Sequence, residues 1–163
     1  MFSSTAEYAL RAVSFLATHT EGLSSSQLIA EHTKVPPGYL SKVLKDLAQA
    51  GVVNSQRGPN GGFSLAGSAE SLSVLAVINA VDPIQRIKTC PLGIPSHGTN
   101  LCRLHRRLDD AIAMVERTLA ETSIAAMIER KDDSTCVFPL TPTSGPISPT
   151  IRGKKGADER QRK

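Results

Sequence analysis

The segment at residues 51–66 constrains the fold most strongly, because it reads as a glycine-rich β-hairpin: Gly-Val-Val-Asn-Ser-Gln-Arg-Gly-Pro-Asn-Gly-Gly-Phe-Ser-Leu-Ala. Apolar and polar residues alternate on both sides of a turn, and Asn60-Gly61 is a strong hairpin signal. Two short helical patterns joined by a tight connection come immediately before it. A helix pair followed by a glycine-rich hairpin that carries Arg57 is the arrangement of a winged helix-turn-helix, so we predict a mostly α fold with a small β-hairpin wing.

Apolar residues at helical spacing predict three helices before the hairpin. The first covers residues 3–19. The second opens with a Ser-x-x-Gln capping box at Ser24, and Leu23 is expected to pack against Leu28 as a hydrophobic staple. The third begins at Pro37, because the missing N–H of proline costs nothing at the first helical position.

Beyond the hairpin, the pattern predicts a short helix near residues 72–81, an irregular loop, a long helix over 101–120 and a final short helix over 123–128. The long helix carries a coiled-coil-like seam with apolar residues at spacings of three and four. The seam consists of Leu101, Leu104, Leu108, Ile112, Val115 and Leu119. Such a seam most simply pairs with a second copy of itself, so we predict a homodimer; packing within one chain is the alternative.

Charge is distributed unevenly along the chain. Residues 1–129 contain 11 Lys/Arg and 11 Asp/Glu, whereas residues 130–163 contain 8 and 4, so the net charge of +4 resides in the tail. Within residues 34–57, however, there are four basic side chains and one acidic side chain, Asp46. This local excess indicates a double-stranded DNA partner, with the third helix in the major groove and the hairpin at the neighbouring backbone or minor groove. A merely solvated charged face is the alternative.

Composition excludes several other classes. The sequence contains no run of about eighteen apolar residues, so no membrane span is expected. The start of the chain lacks the basic region of a signal peptide. Three cysteines at irregular spacing do not form a disulfide framework. We therefore expect a cytoplasmic protein. No nucleophile elbow, phosphate-binding loop or defined pair of carboxylates is recognisable, so we do not expect an enzyme.

The chain is predicted to divide into four parts. Residues 1–82 form the winged helix-turn-helix DNA-binding domain, and residues 83–101 form a sensor loop. Residues 101–129 contain the dimerisation helix and the short terminal helix. The tail at 130–163 is rich in proline, Ser/Thr and basic residues, which predicts disorder.

Three motifs are more specific than the general pattern. They read Ala-Glu-Tyr-Ala-Leu-Arg-Ala at 6–12, Tyr-Leu-Ser-Lys-Val-Leu-x-x-Leu-x-x-Ala-Gly-Val-Val at 39–53, and Ser-x-Arg-Gly-Pro-Asn-Gly-Gly-Phe-x-Leu at 55–65. Together with a cysteine loop before the long helix, they resemble the bacterial Rrf2 family of winged-helix regulators, which includes the IscR, NsrR and RirA types. The resemblance covers roughly residues 1–129. It implies a homodimeric transcription factor, with the long helices crossing at the dimer interface; we expect a repressor acting on an imperfect palindrome.

Three groups of residues are candidates for DNA contact. The first group, expected to contact phosphates, consists of lysines on and near the third helix: Lys34, Lys42 and Lys45. The second, expected to lie nearest the base edges, is the exposed start of that helix: Gly38, Tyr39 and Ser41. The third is the wing, where Arg57, with its neighbours Gly58 and Asn60, is expected to enter the minor groove or hold its phosphates.

The loop before the long helix resembles the segment through which many family members bind an iron–sulfur cluster with three cysteines. Cys90 and Cys102 fill the first and last positions, and His97 stands in the gap left by the missing middle cysteine. His105 resembles the histidine ligand of IscR-like members, and Glu7 falls where NsrR-like members place an acidic ligand donated across the dimer. The two cysteines with two of the other three residues could therefore hold a [2Fe–2S] cluster.

Other interpretations of these residues stay open. Two cysteines twelve residues apart without a CxxC pair are a weak metal signal, so the set could also bind zinc, act as redox thiols or bind no metal. A regulator without a cluster would then sense through thiols or a small ligand. Two further classes are a metal- or redox-binding protein that uses the winged helix as a scaffold, and a winged helix that pairs with another protein.

Overall fold

The computed structural model describes residues 2–91 and 100–129, and within these ranges it contains six helices and one two-stranded sheet. The helices are α1 (Ser4–Thr18), α2 (Ser26–Thr33), α3 (Pro37–Gln49), α4 (Val74–Val81), α5 (Arg103–Glu121) and α6 (Ile124–Ile128), and the strands are β1 (Val53–Gln56) and β2 (Gly62–Leu65). The predicted mostly helical fold with a small hairpin is confirmed. The predictions for His97 and for the tail at 130–163 lie outside the described residues.

Helix α1 lies at the centre of the core and contacts α2, α3, α4, α6 and β2. Small alanines on its buried face allow neighbouring helices to approach, and Phe15 and Leu16 fill the space between them. The apolar stripe of α3 is buried as its spacing predicts: Leu40, Val43, Leu44 and Leu47. Because burial of each such side chain stabilises the fold by about 1.5–3 kcal/mol, this stripe fixes the orientation of α3 on the core.

The start of α2 differs from the prediction, because Ser25 rather than Ser24 is the N-cap. The Ser25 hydroxyl accepts a hydrogen bond from the backbone N–H of Leu28 at 3.2 Å. The backbone N–H and C=O of Ser24 are instead paired with Phe63 of β2, both at 2.9 Å. A residue whose backbone extends a sheet is no longer available to cap the helix. The predicted capping box is therefore wrong, and the Gln27 side chain bonds to Glu31 instead.

The predicted staple is also wrong, for the same reason. Shifting the cap by one residue places Ile29, not Leu28, on the buried side of α2. Leu23 and Leu28 both remain more than one third exposed, at 37% and 38%. The sequence pattern identified the helix correctly, but it placed the boundary one residue early.

The hairpin is confirmed, with Val53 opposite Leu65 and Gln56 opposite Gly62 in antiparallel register. Its turn is not the two-residue loop that Asn-Gly often forms. The N–H of Gly61 donates to the C=O of Gly58 at 2.9 Å, so the turn spans residues 58–61 with Pro59 second. Gly58 adopts a φ of +115°, a conformation that side-chain-bearing residues rarely adopt. The wing tip is therefore a turn that proline and glycine preorganise.

The wing is joined to the helical core by close backbone packing at Gly62. A Cβ atom at Gly62 would lie 2.7 Å from the carbonyl oxygen of Ser24. Only glycine permits that approach, and the approach allows Ser24 to pair with β2. The hairpin is thus held against the connection between α1 and α2.

Helix α5 has no buried residue within the described chain. Of the predicted seam, Leu104 and Leu108 are 62% and 47% exposed, whereas Leu119 packs against the core. Helix α6, by contrast, returns to the core. Ile124 is fully buried there, and a bridge between Ser73 and Ser123 ties α6 to the start of α4. Among the described residues, no helix is both long enough and apolar enough to cross a membrane.

Candidate nucleic-acid interface and cysteine–histidine site

The turn between α2 and α3 sets how the two helices of the helix-turn-helix are arranged. Lys34 ends α2 in the left-handed region, with a φ of 57°, and its N–H donates to Ala30 at 2.9 Å. The Val35 side chain is buried beneath the turn. Arg11 of α1 donates to the carbonyl oxygen of Thr33 at 3.3 Å, which attaches the turn to the central helix. Local sequence patterns do not predict this last contact, because it joins residues 22 positions apart.

The residues proposed to meet DNA lie largely on exposed surface. On α3 they occupy the face opposite the buried stripe, and Tyr39 is the most exposed of the large apolar side chains among them at 64%. Gly38, Ser41, Lys42 and Lys45 share that exposed face. On the wing, Arg57, Gly58 and Asn60 are exposed, whereas Lys34 in the turn is half-buried. The chain therefore presents these groups outward from a packed support.

Two polar residues that sequence reasoning did not assign to DNA also face solvent in this region. Ser26 and Gln27 form the first turn of α2 and, with Pro37 and Ser41, line a recess of about 460 Å³ between the two helices. The first helix of a helix-turn-helix crosses the DNA backbone. By that rule, Ser26 and Gln27 are candidates for contact with the DNA backbone. The sequence pattern did not suggest this, because it was interpreted only as a helix cap.

The cysteine–histidine site consists of Cys90, Cys102 and His105, whose ligand atoms all lie within 4.8 Å of one another. The Nδ1 atom of His105 is 3.1 Å from the Cys102 sulfur and 3.5 Å from the Cys90 sulfur. All three residues are half-buried. The structure thus brings together three of the five predicted ligands, from positions up to 15 residues apart.

The position of Cys102 favours its thiolate form. Cys102 is the N-cap of α5, where the helix dipole and the free amide groups stabilise negative charge. The backbone N–H of His105 is the main cause of a lowered pKa for the Cys102 thiol, and burial opposes it. A thiolate is the form that binds metal, so this helix start suits a ligand cysteine.

The donor set fits a group held by soft ligands. Two thiolates and one imidazole are the ligand types found in zinc sites and in mixed Cys/His iron–sulfur centres. Such centres take about four protein ligands, and the described residues of one chain supply three. Glu7 does not join them within the chain; it is exposed on the first turn of α1 and pairs with Arg11.

An ion-pair cluster that the sequence did not reveal lies beside this site. The guanidinium of Arg86 donates from Nε and Nη2 to the two carboxylate oxygens of Asp109, at 2.7 and 2.6 Å. Its Nη1 donates to Glu116 at 3.1 Å, and the backbone N–H of Ile87 donates to Asp109 at 2.9 Å. Arg86 lies 23 and 30 residues before Asp109 and Glu116, so no local sequence pattern joins them.

Residues 2–130 match the family model described as Rrf2, iron-dependent transcriptional regulator. The chain belongs to the Rrf2 family. A relative described as an HTH-type transcriptional regulator of Aquifex aeolicus (strain VF5) is 28% identical over 144 residues, which cover 86% of this chain and 99% of the relative. The predicted family is therefore confirmed, and this Rrf2 protein is a winged-helix, DNA-binding transcriptional regulator rather than an enzyme.

Solved structures show the same Rrf2 fold. IscR of T. potens has a TM-score of 0.64 at 24% identity, covering 78% of this chain and 85% of that one. CymR of B. subtilis, described as the global cysteine regulator, has a TM-score of 0.62 at 22% identity, covering 77% and 94%. CymR of Staphylococcus aureus has a TM-score of 0.59 at 27% identity, covering 80% and 99%.

Proposed function

We propose that this Rrf2 protein is a homodimeric repressor that binds an imperfect palindrome and senses redox state, iron or nitric oxide through a [2Fe–2S] cluster. The observation that carries the proposal is the convergence of Cys90, Cys102 and His105 at the start of α5. A sensor at that point would act directly on α5, whose Leu104 and Leu108 side chains are exposed.

The proposed DNA contacts follow from the exposed groups on α3 and the wing. Lys42 and Lys45 would neutralise phosphates, and Tyr39 and Ser41 at the start of α3 would lie nearest the base edges. Arg57 would reach the minor groove or its phosphates from the wing tip. Since Ser24 and Gly62 fix the hairpin to the α1–α2 connection, α3 and the wing would meet DNA as one unit.

The proposed dimer would be formed by the seam of α5. Leu104 and Leu108 expose apolar surface that a second copy of the helix would cover. The spacing of the two α3 helices would then depend on the crossing of the two α5 helices. A two-fold arrangement of this kind matches a palindromic site.

Cys90 and Cys102 would hold the cluster as thiolates, and His105 would bind through a ring nitrogen. His97, or Glu7 from the second protomer, would supply the remaining ligand. When bound, the cluster would provide a centre that oxidants and nitric oxide attack. Loss of the cluster would release Cys102 from its partners at the first turn of α5, and the helix orientation would change with it.

Anaerobic purification tests the proposal. We expect coloured protein with about two iron atoms per chain, and loss of colour in Cys90→Ala, Cys102→Ala and His105→Ala. Cys136→Ser is the matched control, because that cysteine lies in the tail, and it should keep the colour. Colourless, iron-free protein that still binds its operator tightly would refute the cluster.

A thiol sensor is the second candidate, because the Cys90 and Cys102 sulfurs lie within 4.8 Å of each other. Oxidation of these two thiols to a disulfide, by exchange with a small-molecule disulfide that is reduced to two thiols, would also alter the start of α5. Iron-free protein would then lose or gain operator binding on oxidation, and Cys102→Ala would abolish that response. A mobility-shift assay with random competitor DNA checks the third possibility, a metal-binding scaffold, which would give no specific complex.

A further inference from the structure

The connecting segment at residues 83–90 joins α4 to the cysteine–histidine site without forming a helix or a strand. It is attached to its surroundings at both ends and in the middle. The N–H of Ile84 donates to the side-chain oxygen of Asn79 on α4 at 3.1 Å, and Cys90 reaches the cysteine–histidine site at the other end. The ion pairs of Arg86 form the middle attachment. The middle attachment thus lies four residues before Cys90.

The geometry of the middle attachment distinguishes it from an ordinary surface ion pair. Exposed pairs contribute little, because solvent screens them and side-chain entropy opposes them. Here the guanidinium makes a two-pronged contact with Asp109, whose side chain is only 16% exposed, and a third bond with Glu116. A backbone N–H, that of Ile87, completes the set. Forked contacts of this kind fix direction as well as distance.

The ionisation of Asp109 agrees with this contact. Hydrogen bonds from Arg86 are the main cause of a lowered pKa for the Asp109 carboxyl group. Asp109 lies four residues after His105, about 6 Å or one turn along α5. The segment is thus bound to two successive turns of the helix, once through the ion pairs and once through the site itself.

We propose that Arg86 is a positioning residue for the cysteine–histidine site, which holds Cys90 in place through its fork onto α5. From the fixed point at Ile87, three residues lead to Cys90, a reach of at most about 10 Å. The fork holds the Asp109 carboxylate that the Ile87 N–H binds. Without the fork only that single backbone bond would remain, and when it opens the nearest fixed point is Ile84, six residues before Cys90. Effective concentration falls roughly as the −3/2 power of tether length, so doubling the tether is expected to lower the local concentration of the Cys90 thiol at Cys102 by about threefold.

The test measures this local concentration in metal-free protein, so it does not depend on the proposed cluster. The full chain carries Cys136→Ser in every variant, which leaves one pair of thiols. It is equilibrated with glutathione redox buffers under chelation, and the Cys90–Cys102 disulfide is quantified by alkylation and mass spectrometry. We expect Arg86→Met to lower the equilibrium constant for disulfide formation by about threefold.

Two further variants separate the fork from charge and from general destabilisation. Arg86→Lys keeps the charge but loses the fork, so it should still lower the constant by about twofold. Arg107→Met removes one positive charge from an exposed position on α5, and it should leave the constant equal to that of the parent. Helical circular dichroism is recorded for all variants. If Arg86→Met unfolds the chain, Arg86→Lys carries the test.

The outcomes are distinct from those for the proposed function, on which only the last measurement depends. An equal constant in Arg86→Met and Arg107→Met, or in Arg86→Lys and the parent, would overturn the positioning role. Colourless parent protein would refute the cluster while leaving the thiol measurement intact. If the parent binds iron, Arg86→Lys should lose it to a chelator about twofold faster than Arg107→Met does, and equal rates would also count against the role.

Discussion

Replacement of Ile124 by alanine examines whether α6 belongs to the winged-helix core. Ile124 is fully buried, in the same cluster as Phe15 of α1 and Val77 of α4. The change removes three carbon atoms, which corresponds to about 2.5 kcal/mol of lost burial at roughly 0.8 kcal/mol per methylene group. The cavity left behind adds to this cost, so the total is about 3–4 kcal/mol. For a folded unit of this size the melting temperature should fall by about 10 °C.

The assay is urea unfolding followed by far-UV circular dichroism, with light scattering to monitor the oligomeric state. Met127→Ala is the matched control, because Met127 lies on the same helix and is 37% exposed. It should cost less than about 1 kcal/mol. Equal destabilisation by the two changes would show that α6 does not contribute to the core, and the tertiary position assigned to Ile124 would be refuted.

Three other perturbations address the dimer, the DNA contact and the ion pairs. Leu108→Lys with Val115→Lys would place like charges in the seam of α5 and should give monomers by light scattering; a surviving dimer would exclude this interface. Lys42→Ala should lower the slope of log affinity against log salt by about one in a mobility-shift titration, and an unchanged slope would place that side chain away from phosphate. Arg86 lowers the pKa of Asp109 in the folded state. The ionised carboxylate therefore makes its full contribution to stability at pH values above its unfolded pKa of about 3.9. That contribution is lost as the pH falls through the lower folded value, so wild type and Asp109→Asn should differ in urea stability at pH 6, and the difference should shrink as the pH is lowered below the unfolded pKa.

Local patterns predicted the helix-turn-helix and the hairpin well, because each depends on neighbouring residues. The buried stripe of α3 has helical spacing, and Pro37 marks its beginning. The hairpin follows from alternating residues around a glycine-rich turn. The error at Ser24 shows the limit of this reasoning. A serine before a helix suits the N-cap by local rules, but the backbone of Ser24 is hydrogen-bonded to that of Phe63, 39 residues away.

The sequence by itself determined the elements, their order and the family, since propensity, periodicity and motif spacing are properties of contiguous residues. It also identified Cys90, Cys102 and His105 as candidates, through a resemblance rather than a measured proximity. Only the tertiary structure decided that these three side chains meet, that Ile124 enters the core, and that Arg86 forms ion pairs with α5. Those contacts depend on how the packed helices are oriented. The packing energy that sets this orientation is a sum over the whole core, so no single segment determines it.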